Sequence, residues 1–166
     1  LSLKIPHWQF IAGDHSPQYG TFSVINKNIR GLHSDLHFSG FRLLTSWGAS
    51  RRSIDGKDLN DSLSSAAYSA GTFRRSNLAA RMELGSESGM LWGLTFSKAK
   101  DKISSLNSKY YLSSVDSLAM ITPKDNVVLA VDTRIALFQQ RFIWGAEAAL
   151  SLYNDNIIGG AISQDS

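Results

Sequence analysis

Apolar and polar side chains alternate over segments too long for an ordinary soluble strand. Val127, Leu129, Val131, Thr133, Ile135 and Leu137 fall at every second position, with Asn126, Asp132 and Arg134 between them. Phe142, Trp144, Ala146, Ala148, Leu150 and Leu152 repeat the pattern around Gly145, Glu147 and Ser151, and Trp92, Leu94 and Phe96 repeat it around Gly93, Thr95 and Ser97. A strand sends successive side chains to opposite faces, so each segment owns one apolar face and one polar, partly charged face. Soluble strands most often run about five or six residues. These run about ten to thirteen, the length that crosses a bilayer at a barrel's tilt.

Seven such strands are predicted: His7–Gly13, Asn28–Phe38, Phe41–Arg51, Thr72–Gly85, Met90–Lys100, Asp125–Leu137 and Arg141–Tyr153, with a tail from Asn154. Ser39-Gly40, Ser86–Gly89 and Phe138–Gln140 are short turns, and Gly40 supplies the positive φ that a tight hairpin needs. The other connections are long and rich in Ser, Asp, Asn and Gly. One stretch inside them, Leu59 to Tyr68, reads equally as a short loop helix or as irregular loop. No domain boundary interrupts residues 1–166, which form a single unit.

Composition narrows the class. Hydrophobic residues make up 43% and charged residues 19%, which excludes a disordered chain and a helical membrane protein. No run approaches the ~20 apolar residues of a spanning helix. With no cysteine, disulfides and thiolate chemistry are excluded. No signal peptide precedes Leu1, as expected of a mature exported chain or an internal fragment. A net charge of +3 is too small to imply nucleic acid. Twelve of the 17 Lys and Arg nevertheless sit in or beside the long connections: Lys27, Arg30, Arg51, Arg52, Lys57, Arg74, Arg75, Lys98, Lys100, Lys102, Lys109 and Lys124.

Strand length, alternation, and short turns at one end with long loops at the other resemble the outer-membrane β-barrel proteins of Gram-negative bacteria. The resemblance spans nearly the whole chain, is architectural, and singles out no particular family. It implies an all-β, antiparallel, up-and-down transmembrane β-barrel. Trp47, Trp92, Trp144 and Tyr153 are then expected on apolar faces as aromatic girdles. Two features depart from it. Seven is odd where bacterial single-chain barrels have even counts, and Ala161 to Ser166 lack a terminal aromatic strand. Both imply a segment of a larger barrel, with open edges near His7–Gly13 and Arg141–Tyr153 that pair with further strands of the same chain or with partner proteins.

The polar faces collect His33, Asp35, His37, Arg42, Arg81, Glu83, Asp132, Arg134 and Glu147, read as lumen-lining. Acids and bases alternate among them, which favours cross-strand pairing over a charge-selective pore. His33, Asp35 and His37 have ligand chemistry, yet a zinc site needs further ligands from elsewhere, so a polar wall is the preferred reading and no metal is expected. Arg51, Arg52, Arg74, Arg75, Lys98 and Lys100 are read as contacts to lipopolysaccharide phosphates or an acidic partner. No G-x-S-x-G elbow, phosphate-binding glycine loop or EF-hand pattern is present, so neither an enzyme nor a cofactor is expected. The functional expectation is a pore, or a structural or secretion-type component, in the bacterial outer membrane, with membrane lipid and lipopolysaccharide as partners and no nucleic acid. The alternative is a soluble, lipocalin-like β-barrel holding a small apolar ligand.

Overall fold

The computed structural model describes residues 1–20, 28–56, 71–107 and 121–158. These form eight strands: β1 (Ser2–Ile5), β2 (Trp8–His15), β3 (Ile29–Phe38), β4 (Phe41–Arg51), β5 (Arg74–Gly85), β6 (Met90–Lys102), β7 (Asp125–Leu137) and β8 (Phe142–Asn154). Each is antiparallel to the next, and the sheet order is the chain order, β1 through β8. The protein is therefore all-β, one open up-and-down sheet. Among the described residues the only helical piece is a 3₁₀ turn, Ile103–Ser105. The stretch Leu59 to Tyr68 lies outside the described residues.

The count of seven is corrected to eight. β1 has four residues and only two apolar side chains, Leu3 and Ile5, too short for alternation to register. It pairs with Trp8–Ile11, so β1, not the strand after it, forms the first edge. The hairpin between them turns at Pro6-His7, with His7 at φ 69°. A fourth short turn thereby joins Ser39-Gly40, Ser86–Gly89 and the turn through Phe138, Gln139 and Gln140, three successive residues at positive φ. All four sit at one end of the sheet, and the long connections sit at the other.

Register sorts the side chains onto two faces, because directly opposed residues share a face. One face carries rows such as Met82–Leu94–Val131–Ala148, Trp47–Leu78–Lys98–Val127 and Ile135–Trp144. The other carries Leu44–Arg81–Thr95–Ala130 and Glu83–Gly93–Asp132–Glu147. Burial is inverted relative to a soluble domain. On the apolar face Leu94 is 42% exposed, Leu129 49% and Leu150 64%; on the polar face Thr95 is 0% exposed, Ala130 1% and Arg81 7%. Large apolar side chains normally seek the interior. Trp8, on the apolar face, keeps its indole N–H satisfied by donating to Ser34 Oγ at 2.8 Å.

Two small clusters lie on the polar side. Tyr19, from the connection after β2, packs with Leu44 and Ala79. At the long-loop end Phe73 and Leu106 pack with Ile103, Ile121 and Ile158. The tail turns back there, the Ile157 N–H donating to Pro123 O at 3.1 Å. β8 differs from the strands before it: almost every residue is exposed on both faces, and among the described residues no strand pairs with its far side.

Candidate functional site

The polar face of β3 to β7 is built around two arginines. Arg42 forks onto Asp35 across the β3–β4 hairpin, Nε to Oδ1 at 3.0 Å and Nη2 to Oδ2 at 2.7 Å, and lies 3.7 Å from Glu83. Arg81 donates from Nε to Glu83 at 2.7 Å, from Nη1 to Thr95 Oγ1 at 2.9 Å, and forks onto Asp132, with Nη2 to Oδ2 at 2.8 Å. Planar guanidinium matches carboxylate in this bidentate geometry. A ladder of charges, Asp35–Arg42–Glu83–Arg81–Asp132, thus crosses five strands.

Glycine makes the crossing possible. Arg81 on β5 reaches Asp132 on β7 by passing over Gly93 on β6, and a Cβ there would overlap the Arg81 and Asp132 side-chain atoms. At the other side of the sheet Gly31 and Gly48 oppose each other, and a Cβ on either would strike the partner backbone. These glycines hold space that the polar face needs.

All nine residues expected to line a lumen share this one face by register. The structure brings Asp35, Arg42, Glu83, Arg81 and Asp132 together. Glu147 lies directly across from Asp132, and Arg134 across from Gly145. His33, Asp35 and His37 do not converge. His33 Nδ1 is 3.3 Å from Ser46 Oγ, Asp35 belongs to Arg42, and His37 has its ring edge-on to His7. His15 also reaches Ser46 Oγ, at 2.7 Å, and Tyr19 stacks on His33. Burial of Tyr19 pushes its phenol up to about 12, with the Asp35 charge adding to the effect. Tyr19 went unnoticed in sequence because it sits in a polar connection with no periodicity. Its signal is weak: a Pro17-x-Tyr19 pair amid Gly, Ser and Asp.

The six cations expected at the loop end divide between the faces. Arg51 and Arg75 turn to the polar face and converge on Asp101, which is 1% exposed; Arg75 forks onto it at 2.8 Å twice, and Arg51 Nη2 lies at 3.1 Å. The Lys124 N–H completes the shell at 3.1 Å. Asp101 was missed because the fifth predicted strand stops at Lys100, whereas β6 continues to Lys102 and keeps the parity Ser97, Ala99, Asp101. Arg74, Lys98 and Lys100 fall on the apolar face, Lys98 and Lys100 each 3.8 Å from Asp125. Arg52 is exposed beyond the end of β4. Lys27, Lys57 and Lys109 lie outside the described residues.

The chain matches no family model, curated protein or solved structure. The reading of the site therefore rests on its geometry. One aromatic placement is corrected: Tyr153 pairs with Asn126 and so belongs to the polar face, with Lys124 Nζ 5.7 Å from its ring centre. Trp47, Trp92 and Trp144 do lie on the apolar face, each about half exposed.

Proposed function

We propose that this sheet is part of the wall of a transmembrane β-barrel in the bacterial outer membrane, acting as a pore or as a structural or secretion-type component of an outer-membrane assembly. The observation that carries the reading is the inversion of burial: aliphatic and aromatic residues cover the exposed face, while ion pairs occupy the buried one. The apolar face has a fitting height. From Val127 to Leu137 the strand advances ten residues. At about 3.4 Å each and a barrel's tilt of roughly 40°, that projects to about 25 Å, the height of an outer-membrane apolar band. Phe38, Phe41, Trp92, Phe142 and Trp144 gather toward the short-turn end, where an interfacial aromatic girdle would sit.

The paired charges of the polar face favour a braced wall over a charge-selective filter. Its open edges require partners. β8 presents thirteen residues with one side unpaired among the described residues, and each unsatisfied backbone group in lipid costs several kcal/mol, roughly. Further strands, from the same polypeptide or from another protein, supply the missing bonds.

Phase partitioning tests the proposal. The chain should enter the detergent phase and resist alkaline extraction from lipid vesicles. Recovery in the aqueous phase would refute it and favour a soluble ligand-binding barrel.

A further inference from the structure

At the loop end of the apolar face the character of the surface changes within one row. Phe96 and Leu129 are followed by Lys98 and Val127, then by Lys100 and Asp125, and β5 and β6 end with Arg74 directly opposite Lys102. Like charges directly opposed across a strand pair repel and destabilise a sheet unless an anion separates them. Among the described residues no carboxylate lies within ion-pairing distance of Arg74 or Lys102. Arg74, Lys100 and Lys102 line a cleft of about 530 Å³ together with Ser76 and Ser104. Asp101, which also lines the cleft, turns its carboxylate to Arg51 and Arg75 on the far face. Asp125 lies 3.8 Å from Lys100 and offsets that charge alone, leaving Arg74 and Lys102 without an anion among the described residues.

The cleft is also held in shape. Ser105 Oγ accepts the Arg74 N–H at 2.9 Å and donates to Lys102 O at 2.6 Å, tying the 3₁₀ turn across the ends of both strands. Three cations and two hydroxyl-bearing residues in a fixed hollow suit a phosphate, with Arg offering a planar fork and Lys point charges. Immediately below runs the apolar face, with Leu78, Phe96 and Val127.

We infer that this cleft binds the phosphate of an anionic lipid headgroup, whose acyl chains lie along the apolar face beneath it. The inference rests on the membrane reading above, and adds to it a specific site and ligand class. Lys102, one of the twelve cations at the long connections but not among the six expected contacts, belongs to it; Arg51 and Arg75 do not.

Trp47 provides the reporter, because it shares the cross-strand row of Leu78 and Lys98. With Trp8, Trp92 and Trp144 replaced by Phe, the full chain is placed in mixed vesicles of phosphatidylcholine and phosphatidic acid. Either lipid carries brominated acyl chains. Brominated phosphatidic acid should quench Trp47 at lower mole fraction than brominated phosphatidylcholine. The triple change Arg74→Gln, Lys100→Gln, Lys102→Gln should reduce that preference by roughly tenfold or more, since each basic residue near the surface contributes appreciably. Quenching by phosphatidylcholine should stay as it was. A control with Lys4, Lys124 and Arg141 changed to Gln should keep the preference. No preference in the parent chain, or an equal loss in the control, would overturn the site. Displacement of the lipid by millimolar inorganic phosphate would overturn the headgroup assignment in favour of a free-phosphate site. Absence of quenching by either lipid would overturn the membrane reading itself, and the site with it.

Discussion

Replacing Arg81 with Met tests the charge ladder where it is most concentrated. The guanidinium makes three contacts to carboxylate oxygens, one of Glu83 and two of Asp132, and donates a further hydrogen bond to the Thr95 hydroxyl. All partners are largely covered: the side chains of Arg81, Glu83 and Asp132 are 8%, 15% and 20% exposed. Hydrogen bonds to charged groups contribute about 1.5–3 kcal/mol each, and losing one partner of a buried ion pair costs about 3–5 kcal/mol. Glu83 keeps Arg42 nearby, which softens the loss, so the expected cost is about 3 kcal/mol, over a hundredfold in the folded-to-unfolded ratio. Asp132→Leu alone should also destabilise. The double change should be less damaging than the sum of the two, by about 1–3 kcal/mol, because a matched apolar pair strands no charge. Urea titration of the protein in lipid vesicles, followed by tryptophan fluorescence, gives these values. A loss below about 1 kcal/mol for Arg81→Met, with additive singles, would mean that water bathes this face, and the braced-wall account would fail.

Gly93→Val should mimic the loss of Arg81, because its side chain occupies the space through which the Arg81–Asp132 pair passes; the same titration should show a loss of about 2–4 kcal/mol, and a neutral result would contradict the assigned geometry. Tyr19 keeps its proton to about 12 when folded and to 10 when unfolded, so stability should be unaffected below pH 10 and fall as pH rises from 10 toward 12. The phenolate absorbance lost in Tyr19→Phe should accordingly titrate near 12; titration at 10 would place the ring in water. Arg75→Gln leaves the buried Asp101 with one fewer guanidinium and should cost about 2 kcal/mol, whereas Lys98→Gln, whose contact with Asp125 is loose and exposed, should change stability by less than about 0.5 kcal/mol.

The alternation carried most of the architecture. β4 and β7 have the bounds that their apolar parity predicts, since a one-residue slip would invert every side chain. Parity also placed the nine polar-face residues together. What parity cannot carry is contact between strands that are not neighbours in chain order of pairing. Nothing along β5 says that Arg81 passes over β6 to reach Asp132, and only the glycine at 93 hints that space is reserved. β1 was illegible because four residues do not make a period. Asp101 and the division of the cations were legible in principle: Lys98 and Lys100 have the parity of Trp92, Leu94 and Phe96, while Asp101 has that of Thr95. Grouping the cations by their place along the chain, rather than by face, hid the difference.

The central claim is that the apolar face meets lipid and the polar face does not. With no cysteine in the chain, a nitroxide can be attached at single introduced cysteines without background. Leu150 and Ser151 are the most direct pair: adjacent on β8, exposed, and on opposite faces. In vesicles, a label at Leu150→Cys should relax by collision with oxygen, which concentrates in lipid, and one at Ser151→Cys by collision with a water-soluble nickel complex; Leu94→Cys and Val131→Cys should behave like position 150. Nickel accessibility at 150, 94 and 131 equal to that at 151 would contradict the account.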